Sequence, residues 1–295
     1  MNRIAVLLLA VLAVAGLLRP LAAADEVKLV RPVNLAVNTE ADEDDPFLSS
    51  SGLTLWYSSN AGGKFDIMRA QRRNVRSAWA KGKLLEDYVR TEVDDRGVSL
   101  TRDGAYPQYL YFATKKDKET KNFEIYVAVK QGAAAAFTEP TPVNAADTEA
   151  DEINPWLTAD AKQLYFSRKT KDGWRVYVCK RQQATGAQGF GEAVLVEDLP
   201  PDFHHVTLTR DGKTMYLQGP LEKERTSLFT ATKTAKGWTK PEPLTMLNQP
   251  EAAKGDRAPA LSADGSMLYF ASDRSGGKGG FDLWVVPTAQ LKGKK

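Results

Sequence analysis

At 295 residues with 42% apolar content, the chain can bury a sizeable core, and a disordered polymer is excluded. Lys and Arg number 40 against 37 Asp and Glu, a near-neutral, well-mixed balance that argues against nucleic acid or a lipid surface as a partner. The single cysteine, Cys179, excludes an internal disulfide, and it lies far from any N-terminal lipid-attachment position.

The chain starts Met1-Asn2-Arg3, continues as an unbroken apolar run over 4–18, and then reads Arg19-Pro20-Leu21-Ala22-Ala23-Ala24. A basic start, a short apolar stretch and a small-x-small end predict a secretory signal peptide over 1–24, cleaved before Asp25. The apolar run falls short of the roughly 20 residues that cross a bilayer, and an uncleaved anchor is the alternative. Removing the leader takes away Arg3 and Arg19 and leaves 38 basic against 37 acidic side chains.

From there one pattern recurs five times, over 46–68, 98–126, 155–177, 206–229 and 259–284. It runs apolar-x-Leu-Ser/Thr, a tight turn, Leu-Tyr-Phe, a polar loop, then aromatic-acid-apolar-aromatic. Leu55, Leu110, Leu164, Met215 and Leu268 mark it at intervals of 55, 54, 51 and 53 residues. A period of that length means a modular array in which no unit buries its faces alone. The turns are Ser51-Gly52, Asp103-Gly104, Asp160-Ala161, Asp211-Gly212 and Asp264-Gly265, the chemistry of tight hairpins. The Leu-Tyr-Phe run is apolar on both faces, so its strand must be covered on both sides. These features predict an all-β five-bladed β-propeller of four-stranded antiparallel blades, one domain over 25–295. A short outer strand precedes each unit (Val33-Asn34-Leu35, Lys83-Leu84-Leu85, Val143-Asn144, Val194-Leu195, Pro243-Leu244), and none follows Trp284. The N-terminal strand over 28–35 is therefore predicted to complete the last blade and close the ring.

The segments 259–274 (PALSADGSMLYFASDR) and 281–284 (FDLW) resemble the Pro-Asp, WD-like repeat of TolB-type propellers. The resemblance covers nearly all of the mature chain and is specific for fold. It implies an exported, non-enzymatic propeller that binds proteins, ions or small ligands. Unit four departs from the pattern, with His204-His205 before Val206 and Ser227 where other units carry Asp66, Glu124 and Asp282.

The lead-in to each innermost strand is acidic: Glu40, Asp42, Glu43, Asp44 and Asp45; Glu92, Asp94 and Asp95; Glu149, Asp151 and Glu152; Asp202; and Asp256. In a propeller these segments share a face with the loops between second and third strands, which carry Arg168 and Arg274. That acid-rimmed face is the candidate binding surface, with Trp156 beside the third lead-in to stack on a ligand. Three readings of the acids stand open. Each carboxylate caps backbone N–H groups or pairs with a base on the next blade; or Asp42, Asp94 and Asp151 help hold Ca²⁺ in an oxygen shell; or paired acids work as in five-bladed glycoside hydrolases. A repeated motif lacks the asymmetry that hydrolysis needs.

Other constellations carry less. His204 and His205 are adjacent and point to opposite faces of a strand, so they cannot share a metal. The glycine-rich stretch 275–280 has no P-loop spacing, and no Gly-x-Ser-x-Gly elbow exists. Trp79, Phe137, Phe190 and Trp238 recur before the outer strands and read as blade-edge packing. The expectation is a monomeric periplasmic or secreted scaffold that needs no cofactor. It binds an envelope or extracellular protein, a small ligand or a glycan, and inserts in no membrane once the leader is removed. A carbohydrate-active hydrolase or lectin is the alternative.

Overall fold

The computed structural model describes residues 29–291 apart from 87–88, 116, 184–185, 223–224 and 248–251. The expected leader, and with it the cleavage site, lies outside these residues. No helix among them is long and apolar enough to cross a membrane.

After β1 (Val33–Asn34), each repeat folds into one antiparallel blade. Blade 1 is β2 (Glu43–Leu48), β3 (Thr54–Ser59), β4 (Asp66–Gln71) and β5 (Lys83–Leu84). Blade 2 is β6 (Asp95–Leu100), β7 (Gln108–Thr114), β8 (Glu124–Lys130) and β9 (Thr141–Pro142). Blade 3 is β10 (Glu152–Leu157), β11 (Gln163–Thr170), β12 (Gly173–Arg181) and β13 (Phe190–Leu195). Blade 4 is β14 (His204–Leu208), β15 (Thr214–Pro220) and β16 (Thr226–Thr234), with its outer edge split between β17 (Gly237–Trp238) and β18 (Glu242–Pro243). Blade 5 is β19 (Asp256–Leu261), β20 (Met267–Ser272) and β21 (Asp282–Pro287), and β1 supplies its fourth strand through Val33↔Val285 and Asn34↔Trp284.

The first two strands of each blade are joined by the predicted hairpins. Gly52, Gly104, Gly212 and Gly265 sit at φ between 66° and 73°, and Ala161 adopts φ 55° in the same place at a steric cost that glycine avoids. The second strand is the buried one: Leu55, Leu110, Leu164, Met215 and Leu268 are all fully buried. The apolar residues form five clusters, one at each junction between blades. Leu55 and Tyr57 of blade 1, for example, pack on Tyr269 and Leu283 of blade 5. Stability is thus stored between units, as the repeat period requires.

The aromatics before the outer strands close the blade edges as expected. Trp79, Phe137, Phe190 and Trp238 each lie under a cation from the end of the third strand, respectively Arg72, Lys130, Arg181 and Lys233. Cys179 is buried in β12 against Ala145 O, and burial pushes its thiol up to about 11.

One feature repeats that the periodicity hides. Each inner strand carries a β-bulge, and its left-handed residue is Asp45, Gly97, Asn154, His205 or Ala258, all at φ 50° to 54°. Asp, Asn and His tolerate that conformation better than most residues, and Ala258 does so least comfortably. The bulge N–H groups are held by the preceding blade: Gly97 by Ser58 Oγ, His205 by Ser167 Oγ and Ala258 by Gln218 Oε1.

Candidate functional site at the propeller axis

Aligned by strand register, Asp42, Asp94, Asp151 and Asp202 occupy one position, and each reaches back to the previous blade. The carboxylates accept the backbone N–H of Phe281, Phe65, Phe123 and Trp174, at 2.8, 2.9, 2.9 and 2.9 Å. Each bond clasps the third strand of one blade to the lead-in of the next. At the remaining seam both partners change together. Gly255 replaces the aspartate, Thr226 replaces the aromatic, and Thr226 N donates directly to Lys254 O at 3.0 Å.

The next position holds Glu43, Asp95, Glu152 and Asp256, all buried. Glu43 accepts from Thr39 and Ser59, and Asp95 from Thr91 and Thr114. Glu152 pairs with Arg168 at 2.8 Å and Asp256 with Arg274 at 2.6 Å. Burial raises the pKa of all four carboxyls, and the hydroxyl and guanidinium partners hold it down in part. Arg168 and Arg274 are therefore counter-ions inside the wall, and Arg274 is almost entirely buried.

Asp42, Asp94 and Asp151 stand at three different seams, each committed to a backbone N–H. Among the described residues no three His, Cys, Asp or Glu side chains converge as a metal site. Trp156 lies away from the acid-rimmed face. It sits beyond the bulge in β10, edge-on to Tyr165 with ring centroids 6.0 Å apart, and lines the opposite end of the axis.

One position further along the inner strands, the axis joins Asp44 and Asp45 of the acidic lead-in and His205 to Arg96, Asn154 and Arg257, which the sequence reading did not single out for the site. Asp44 Oδ2 takes Arg96 Nη2 at 2.5 Å and Arg257 Nη2 at 2.7 Å, and Asp45 Oδ2 takes Arg96 Nε at 3.0 Å. Asn154 Nδ2 donates to Asp45 Oδ1 at 3.2 Å, and His205 Nδ1 stands 3.8 Å from that oxygen. All five blades contribute. The two guanidiniums stack on the clasped aromatics, Arg96 on Phe65 at 4.1 Å and Arg257 on Phe281 at 3.4 Å. Burial lowers the pKa of His205 to about 3; Asp44 opposes the shift, and Arg96 and Arg257 add to it, so the imidazole is neutral. His204 turns instead to Gln218 at 3.1 Å and stacks on Trp174, and burial lowers its pKa to about 3 as well.

Below the cluster the bulge residues pinch the axis to a cavity of about 30 Å³, lined by Asp45, Gly97, Asn154 and His205. The signal that marks this cluster in the sequence is a column of the repeat in which like is not repeated: Asp44, Arg96, Ile153, His204 and Arg257. In this column Asp44 lies within reach of both Arg96 and Arg257.

No protein-family model and no curated protein matches the sequence. Solved structures do. The likeness is one of fold. TolB from Acinetobacter baumannii superposes with a TM-score of 0.50 at 15% identity over 83% of this chain, which spans 54% of that protein. The catalytic domain of the GH62 α-L-arabinofuranosidase of Coprinopsis cinerea gives a TM-score of 0.60 at 12% identity, covering 88% of this chain and 94% of that one. The GH43 enzyme of Xanthomonas citri, complexed with xylose, gives 0.60 at 14% identity, covering 87% and 90%. TolB and glycoside hydrolases of families 43 and 62 thus share this architecture, and fold alone does not tell their functions apart.

Proposed function

We propose that the chain is a non-enzymatic binding module, exported to the periplasm or the exterior, and that it meets its partner with the acid-rimmed face. The observation that carries this reading is the commitment of the carboxylates. The seam aspartates bond backbone N–H groups, the buried row is locked to hydroxyls and arginines, and Asp44 and Asp45 are neutralised by Arg96 and Arg257. Hydrolysis of a glycoside requires two acids free to face the substrate with separated pKa values. The acids of this rim are instead the mortar of the ring.

The same rim leaves Glu40, Glu92 and Glu149 exposed, equivalent residues two positions before the clasping aspartates of blades 1, 2 and 3. Glu92 pairs with the exposed Lys118 at 2.7 Å, and the three glutamates set blades 1 to 3 apart from blades 4 and 5, which suits a single oriented partner. A protein of the envelope or the exterior is the partner this surface fits, and the module works as a monomer.

The mature chain, screened against aryl arabinofuranosides and xylosides, is expected to give no turnover. Turnover abolished by Asp45→Asn in a variant of unchanged melting temperature overturns the reading and installs the carbohydrate-active one. In parallel, a partner captured on the immobilised chain is expected to be lost on Glu40→Lys/Glu92→Lys/Glu149→Lys, with the fold intact.

A further inference from the structure

At the other end of the inner strands the axis widens into a funnel of about 410 Å³, within the usual size range of small-molecule pockets. Its wall is built by repetition. The leucine that ends each inner strand, Leu48, Leu100, Leu157, Leu208 or Leu261, contributes one fifth of the ring. Phe47 and Trp156, from blades 1 and 3, stand above it where the other inner strands carry Ser99, Thr207 and Ala260. The pinch at the bulge residues separates this funnel from the acid-rimmed mouth.

The lip is not symmetrical. The hairpin residue that reaches over the funnel is small in three blades (Ser50, Ala159, Ala263) and arginine in the other two, Arg102 and Arg210. Both arginines are exposed, and neither guanidinium has a hydrogen-bond or ion-pair partner among the described residues. The one carboxylate lining the funnel, Asp103, already accepts from Ser51 N at 3.1 Å and Ser51 Oγ at 2.6 Å. The turn aspartates Asp160, Asp211 and Asp264 bond within their own hairpins and line no part of it. The funnel therefore offers an apolar, aromatic-sided well under two free guanidiniums, groups whose planar forks match carboxylate and phosphate oxygens.

We propose that this funnel binds an amphipathic organic anion, its aliphatic or aromatic body against the leucine ring and Trp156, and its carboxylate, sulfate or phosphate between Arg102 and Arg210. The site lies at the opposite mouth from the acid-rimmed face, so it stands or falls separately from the function proposed above.

Isothermal titration with decanoate and with naphthalene-2-carboxylate tests it, and the two arms tell an aliphatic from an aromatic body. The expected result is one-to-one binding of at least one anion, with decyltrimethylammonium silent. Arg102→Gln/Arg210→Gln is expected to weaken binding at least about tenfold, the scale of one lost charge-assisted contact, at an unchanged melting temperature. Ala263→Trp, which fills the lip from blade 5 and leaves both arginines in the chain, is expected to abolish it. Silence from both anions, equal binding of the cation, or an unaltered affinity in the double arginine variant overturns the proposal.

Discussion

His205 stands 3.8 Å from a carboxylate and yet remains an uncharged imidazole, because burial and two flanking arginines outweigh the attraction of Asp44. With His204 in the same condition, two histidines have folded pKa values near 3 against an ordinary 6.5. The unfolded chain takes up these protons first, so the stability they contribute is complete above pH 6.5 and is lost as pH falls towards 3. Each adds a slope of about 1.4 kcal/mol per pH unit inside that window. The buried carboxyls Glu43, Asp95, Glu152 and Asp256 act with the opposite sign, since their raised pKa values favour the folded state as pH falls through them. The histidine contribution is read as the difference between parent and variant in urea unfolding between pH 6.5 and 5, where the carboxyl contribution is common to both. His204→Gln/His205→Asn is expected to lose less stability on acidification than the parent, by up to two protons of slope, and equal slopes would refute the assignment.

Among the elements, the seams between blades divide into two kinds. Four are closed by an aspartate on a backbone N–H, and the fifth by Thr226 N on Lys254 O, with Thr226 bridged in parallel to Gly255. A Cβ on Gly255 would lie 2.0 Å from Thr226 O, on a backbone at φ 94°. Gly255→Ala is therefore expected to cost more than Asp151→Ala. The first forces two strands apart, at about 2 kcal/mol or more. The second removes one charge-assisted bond, worth about 1.5 to 3 kcal/mol less whatever water restores to Phe123 N. Thermal melts of the two variants rank them, and the reverse order would mean that the clasp outweighs the backbone contact.

The strands, the hairpins and the ring are legible in the repeat itself, because Leu-Tyr-Phe and Asp-Gly state local needs. The site was less readable for two physical reasons. A clasp such as Asp94 to Phe65 joins residues 29 apart, and Asp42 to Phe281 joins residues 239 apart, so composition of the lead-in cannot say what its acids hold. Trp156 stands close to the acids in sequence, but four positions of β10 separate it from Glu152, and at about 3.3 Å per residue they carry it to the other end of the axis.

At the scale of the molecule, the ring is fastened by the short β1. Val33 and Asn34 pair with β21, Leu35 N donates to Leu283 O at 3.0 Å, and Asn34 Nδ2 reaches Asp282 at 2.8 Å. A chain that starts at residue 37 is expected to melt at a lower temperature than one that starts at residue 25 and to self-associate on size-exclusion chromatography, since β21 would become an open sheet edge. A monomer of unchanged stability would show that packing at the seam suffices without the strand.

That fastening joins the first strand made to the last, across 248 residues. A ribosome that stops short of Asp282 releases a chain whose Val33 and Asn34 have nothing to pair with, however well the earlier blades have formed. The closure therefore makes the two sides of the seam interdependent: without β21 the strand β1 has no partner, and without β1 the edge of β21 is bare.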